Sequence, residues 1–243
     1  MKNHISSIRL YRILFSVLLI FLLLPDICYS QGGLRIGYGF AVGNPKDVNR
    51  IIYVYNMRGG FEKEMPYIWN AHGLTFAYYK ALADDLFWEF KWQNRHSIVS
   101  ARKEVSGVMM QRDLKLRQNF FSAGFYGGKP FYAGLSIELG NWKGFTRVNT
   151  VDSIKKTEYI KIFTVNEGFE SEVVKTMQPA FSIYGGYETD FFGIRLCYQY
   201  QFMKRATDQL DNELLGGNIE DGNYPMDKFS NLGIELYIKL GKR

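Results

Sequence analysis

Hydrophobic and polar residues alternate with a period of two over much of this chain. Leu86, Trp88, Phe90 and Trp92 fall on one face, and Phe87, Glu89, Lys91 and Gln93 on the other. A strand sorts residues this way and a helix does not. Near the C-terminus Leu232, Ile234, Leu236, Ile238 and Leu240 alternate with Gly233, Glu235, Tyr237 and Lys239. Before them, Phe192, Ile194, Leu196, Tyr198, Tyr200 and Phe202 alternate with Arg195, Cys197, Gln199 and Gln201. Residues 34–42, 74–79 and 131–139 obey the same rule. Residues 112–126 carry Leu114 and Leu116, then Phe121, Ala123 and Phe125, a phase slip that predicts a bulge. Residues 176–187 carry Phe181, Ile183 and Tyr187, with Pro179 near the start of the strand, where it is tolerated. The pattern predicts eight strands.

The connections sharpen this. Gaps at 83–85, 127–129 and 188–190 are short and turn-like, whereas gaps at 43–71, 96–111, 146–175 and 205–228 are long and polar. Short and long alternate strictly. An even-stranded transmembrane barrel has short turns at the periplasmic end, with both termini, and longer loops outside. The expected fold is therefore all-β: an eight-stranded antiparallel up-and-down transmembrane β-barrel.

A soluble lipocalin-like barrel also alternates, but turns its apolar face inward to a ligand. The second face decides between the two. It holds Gly37, Gly39, Ala41, Gly134, Ser136, Ser182, Gly186 and Gly233. A solvated exterior has no reason to stay so small, whereas an eight-stranded lumen has room only for its own side chains. Charges of both signs share this face: Arg35, Lys91, Arg195 and Lys239 against Glu89, Glu138 and Glu235. Inside a barrel they must pair, because an unpaired buried charge costs several kcal/mol. They are the expected lumen charge network.

The first thirty residues read as an export signal. Lys2, Arg9 and Arg12 precede an apolar run from Ile13 to Leu24, Pro25 breaks it, and cleavage is expected after Ser30. The run has 12 residues, short of the roughly 20 a membrane helix needs. Residues 1–30 are thus expected to be removed, and 31–243 to form the barrel domain. That domain holds 27 basic and 23 acidic residues, a net +4 too mild to argue for nucleic acid. Its one cysteine, Cys197, excludes an internal disulfide. Over the whole chain, the 17 Tyr, 19 Phe and 24 Gly favour strands and tight turns.

Residues 33 to 241 resemble the small outer-membrane barrels of the OmpA/OmpX type, in architecture rather than by a diagnostic motif. The closing segment Gly233-Ile234-Glu235-Leu236-Tyr237-Ile238-Lys239-Leu240 looks like the last strand that barrel-assembly machinery recognises. It departs from the commonest ending by adding Gly241-Lys242-Arg243 and lacking a terminal Phe. The resemblance implies the outer membrane as location, the assembly machinery as a partner during biogenesis, and no cofactor.

Candidate chemistry is sparse. Lipid A-modifying barrel enzymes need a nucleophile and a base held together. His96 and Ser97 are adjacent on a strand and point to opposite faces, which leaves His96 with Ser100 as a less local pair; His72 is the other histidine of the barrel domain. The carboxylates Asp208, Asp211, Glu213, Glu220, Asp221 and Asp227 lack EF-hand spacing, so no metal site is expected. Arg95, Arg112, Lys143, Arg147, Lys204 and Arg205 fall near the outer strand ends. There they are expected to form a rim for lipopolysaccharide phosphates, which Arg can bind bidentately. The expected role is structural or interactive through the external loops, where an unknown protein partner could bind, without catalysis. An accessory barrel of a secretion or assembly machine, or a lipid A-modifying enzyme, is the alternative.

Overall fold

The computed structural model describes residues 32–151, 160–164, 178–202, 205–206, 210, 214–215, 226–227 and 230–241. The expected signal segment lies outside them. Eight strands form the wall: β1 (Gly32–Val42), β3 (Asn70–Ala83), β4 (Leu86–Val105), β5 (Val108–Gly127), β6 (Phe131–Thr150), β8 (Gln178–Glu188), β9 (Phe192–Gln201) and β12 (Asn231–Leu240). The short strands β2 (Phe61–Lys63), β7 (Ile160–Thr164), β10 (Arg205–Ala206) and β11 (Met226–Asp227) decorate the connections. Each wall strand pairs antiparallel with its neighbour in chain order, and β12 returns to β1 from Leu34↔Leu240 to Val42↔Leu232. The ring is closed. The fold is an eight-stranded antiparallel up-and-down β-barrel, as the alternation predicts.

Closure leaves no edge and gives each wall residue an inside or an outside. Over the half nearest the short turns, apolar side chains face outward: Ile137 is 64% exposed, Leu236 60%, Ile183 58% and Leu34 51%. Their neighbours in sequence point into the lumen and, Gly33 apart, are buried.

Two expectations, one about a long connection and one about a strand, are corrected. Residues 96–111 are not a polar loop, because β4 and β5 run on, 20 residues each, to a two-residue turn. Ser106 and Gly107 take φ of 52° and 80°, the two positive values that a tight hairpin turn matching strand twist requires. Nor does 112–126 contain a bulge, for β5 keeps unbroken register with both neighbours. Leu114 and Leu116 point inward, whereas Phe121 and Phe125 point outward. The apparent slip is a change in which face is apolar.

That change has a cause in the first long connection, which carries helix α1 (Lys46–Met57). Val48, Ile51 and Ile52 line one face of α1 at helical spacing and are buried. Asp47 sits favourably in the first turn, and Gly59 and Gly60, both at positive φ, follow the last. Asn49 stitches the helix to the chain that follows: its Nδ2 donates to the Ile68 carbonyl (3.0 Å) and its Oδ1 accepts from the Ile68 amide (2.8 Å). The buried helix face joins Met65, Val99, Leu114, Leu116, Phe120, Trp142, Leu210, Leu214 and Leu215 in one apolar core at the long-loop end. Below the core the lumen holds charged and polar side chains, with a second buried cluster of Tyr79, Phe87, Tyr126, Tyr132, Tyr184 and Cys197 toward the short turns.

Candidate functional site: the lumen network and the outer wall

Glycines and small residues on the inner face leave space for the long charged side chains. Glu89 is the hub. Arg195 donates to both of its oxygens at 2.7 Å, and Arg35 donates to the same carboxylate. Arg35 also reaches Glu188 at 2.5 Å and the Tyr126 hydroxyl at 2.6 Å. Lys91 lies 3.5 Å from Glu235, and Glu235 accepts from Thr75 at 2.8 Å and stands 3.9 Å from Arg195. All of these are buried in the wall. Buried charges need both counter-charge and hydrogen bonds to be tolerated, and here they have both.

Of the expected network, Arg35, Glu89, Lys91, Arg195 and Glu235 meet directly. Lys239 lies toward the short-turn mouth and donates to Glu188 at 3.1 Å. Glu138 stands apart, held by Ser182 (2.5 Å), Gln93 (3.3 Å) and Gln199 rather than by a cation. Sequence reading missed Glu188, whose position beside a predicted turn hid its inward direction. It also missed the tyrosines. The Arg35 guanidinium carbon lies 4.5, 4.6 and 4.9 Å from the ring centroids of Tyr79, Tyr126 and Tyr237, and that of Arg195 lies 4.5 Å from Tyr184. Such contacts strengthen when water is excluded.

The expected rim is redrawn. Arg95 is not at the surface: it shares the inward parity of Glu89 and Lys91 and is 1% exposed. Arg112 also points inward, its guanidinium carbon 5.9 Å from the Tyr55 ring of α1. Arg147 faces outward and pairs with Asp113 at 2.7 Å. Lys143 faces outward as well. Lys204 and the side chain of Arg205 lie outside the described residues, as do Asp208, Asp211, Glu213, Glu220, Asp221 and the side chain of Asp227.

The outer wall carries an ordered series of rows instead. Phe76, Trp92, Phe121 and Leu139 are cross-strand partners on β3 to β6. Two residues nearer the long loops lie Leu74, Asn94, Asn119 and Asn141, and two further lie His72, His96, Arg117 and Lys143. Trp92 Nε1 donates to Asn119 Oδ1 at 2.7 Å, and Arg117 Nε to Asn94 Oδ1 at 3.3 Å. The His72 and His96 rings are 4.8 Å apart, and Nδ1 of His72 meets the Tyr38 hydroxyl. Ser100 donates to Asp113 at 2.6 Å, so its hydroxyl is engaged by a carboxylate, not by His96. Among the described residues no cluster of metal-ligand type occurs.

Fold and wall together define a small up-and-down barrel with an apolar belt, a charge-paired lumen and an apolar core under its long-loop end. Comparison with solved structures returns Ail, the attachment invasion locus protein of Yersinia pestis. In complex with the heparin analogue sucrose octasulfate, Ail is 10% identical with a TM-score of 0.46, and the match covers 88% of this chain and 100% of that one. A second Ail structure gives 12% identity, a TM-score of 0.42 and the same coverage. A bacterial polysaccharide outer membrane secretin gives 9% identity and a TM-score of 0.19. No protein-family model and no curated protein matches the chain. The fold assignment rests on the closed ring of strand pairings.

Proposed function

We propose that this chain is an outer-membrane β-barrel protein with a structural or interaction role at its long-loop end, without catalysis. The observation that carries the reading is the inverted barrel: outward Leu34, Ile137, Ile183 and Leu236 lie open while the lumen holds buried ion pairs. In water an exterior belt of that extent would drive association. In lipid it is the required surface, and a closed barrel is the only sheet that leaves no backbone group unpaired there. Strands β1, β9 and β12, at 11, 10 and 10 residues, have about the length that a tilted strand needs to cross.

The long-loop end is the working surface. There β4, β5 and β6 rise beyond the belt, and the connections are long enough to recognise a partner. Outer-membrane lipid and lipopolysaccharide are the expected surroundings, the barrel-assembly machinery the expected partner in biogenesis. The non-catalytic reading is supported by the engagement of Ser100 with Asp113 and of His96 with His72. The test is electrophoresis of the full chain extracted from cell membranes, with and without boiling in detergent. A heat-dependent mobility shift in the outer-membrane fraction is expected. A protein found in the soluble fraction, with no shift, would overturn the reading.

A further inference from the structure

The row His72–His96–Arg117–Lys143 has a physical problem that the described residues around it do not solve. These four are direct cross-strand partners on four adjacent strands. Arg117 and Lys143 stand opposite each other, and like charges in that relation destabilise a sheet. Among the described residues neither meets a carboxylate within ion-pair distance. Asp113, four residues along the same strand from Arg117, is engaged by Arg147, Ser100 and Gln111.

The row is local. Followed past β3 onto β1, β12 and β9, the same cross-strand line continues as Phe40, Ile234 and Leu196, which are apolar. Below it the order is fixed: a row bearing three asparagines, then a row of Phe76, Trp92, Phe121 and Leu139. A ligand filling this surface must therefore present anionic groups at one level, hydrogen-bonding groups about 7 Å lower and hydrocarbon below that. The cationic row spans three strand spacings, about 14 Å. An inorganic ion satisfies only the first requirement.

We propose that the outer wall of β3 to β6 is a binding site for a phosphorylated glycolipid of the surrounding leaflet. Its phosphates rest on Arg117 and Lys143, with His96 and His72 beside them. Its sugar meets Asn94, Asn119 and Asn141, and its acyl chains lie along Phe76, Trp92 and Phe121. The assignment rests on the outer-membrane reading and names the lipid that this wall selects.

The experiment uses the full chain purified in detergent and titrated with rough-type lipopolysaccharide, with the same lipid after removal of its lipid A phosphates, and with inorganic phosphate. The variant is Arg117→Gln with Lys143→Gln. The control is Lys80→Gln, an outward cation near the short turns. Wild type and control should bind the phosphorylated lipid at least about tenfold more tightly than the dephosphorylated one, a difference of roughly 1.4 kcal/mol. The double variant should lose that preference. Equal binding of both lipids by wild type, or an unchanged preference in the double variant, overturns the proposal. Displacement of the lipid by inorganic phosphate at similar concentration overturns the lipid assignment, since the site would then read a bare anion. Heat-dependent mobility of each variant confirms folding, and fractionation separately reports whether the outer-membrane reading itself has failed.

Discussion

Replacing Glu89 by Gln probes the lumen network at its most connected point. The substitution keeps the side chain's volume, removes its charge and turns one acceptor oxygen into a donor facing a guanidinium. Arg195 and Arg35, 0% and 1% exposed, both donate to this carboxylate and cannot release a proton. Deleting one partner of a buried ion pair costs about 3–5 kcal/mol, because a charge is left buried without its counter-charge. Relief is available: Arg35 keeps Glu188 at 2.5 Å, and Arg195 keeps Glu235 at 3.9 Å. The expected loss is therefore near the lower bound, about 3 kcal/mol. Equilibrium urea unfolding of the full chain in lipid vesicles, followed by tryptophan fluorescence, measures it. Arg195→Met supplies the other corner of a double-mutant cycle, and the pair should cost at least about 1 kcal/mol less than the sum of its members. A Glu89→Gln protein within about 1 kcal/mol of wild type, with no coupling to Arg195, would refute the reasoning.

Other consequences are smaller in scope. Gly193 faces Tyr237 across the β9–β12 pair, and an added Cβ would come within 2.3 Å of the tyrosine ring; Gly193→Ala should destabilise the barrel by about 1–3 kcal/mol in the same urea assay. Ile52→Ala removes a fully buried side chain from the core under the long-loop end and should cost about 2–5 kcal/mol there. Limited proteolysis should then cut the α1 connection faster while the heat-dependent mobility shift persists, and loss of both would contradict two separable zones. Asp113 is held below the usual carboxylate range by bonds from Ser100, Arg147 and Gln111, which outweigh its burial. Its folded pKa is depressed, so its contribution is present above an ordinary aspartate pKa of about 4 and fades as pH falls through the folded value. The temperature of the mobility shift should drop over that acidic window in wild type and change less in Asp113→Asn.

Leu86 to Gln93 is legible in sequence because exterior and lumen demand different kinds of side chain, so every residue reports its face. Beyond Trp92 the same strand becomes opaque. Outward positions turn polar at Asn94 and His96, while inward ones turn apolar at Val99 and Ala101. A period-two reading that expects one polarity takes this for a loop, although Ser106-Gly107 marks a hairpin. Val48, Ile51 and Ile52, set between Pro45 and Gly59-Gly60, carried a helix signal inside a stretch that reads as a polar connection. The rim was misdrawn for a related reason. Arg95 and Arg112 stand at the right height along the chain, but parity sends them inward, with Glu89 and Leu114 respectively. Parity places Arg117 on the outer wall, directly opposite Lys143. Which tyrosines stack on Arg35 depends on register around the closed ring, and no local pattern encodes that.

On the outer-membrane reading, the reversal of polarity partway up β4 and β5 follows from a change of solvent. Along the belt that reading sets the exterior in hydrocarbon, and apart from the aromatic cluster of Tyr79, Phe87, Tyr126, Tyr132 and Tyr184 the lumen gains little from apolar burial. The lumen is instead held by ion pairs, which are strong only where water is excluded. Above the belt the wall meets water, and the ordinary rule returns: apolar side chains point inward and need a cover, which α1 supplies. The switch must occur at a definite height, because each strand has only two faces and a one-residue slip would invert both. On β3 to β6 that height is marked by the asparagine row and the cationic row above it. In the proposed membrane setting, any shift of the barrel along the membrane normal would drag His96, Arg117 and Lys143 into hydrocarbon or lift Trp92 and Phe121 into water. The depth of the barrel is thus set by the level at which its strands exchange one core for the other.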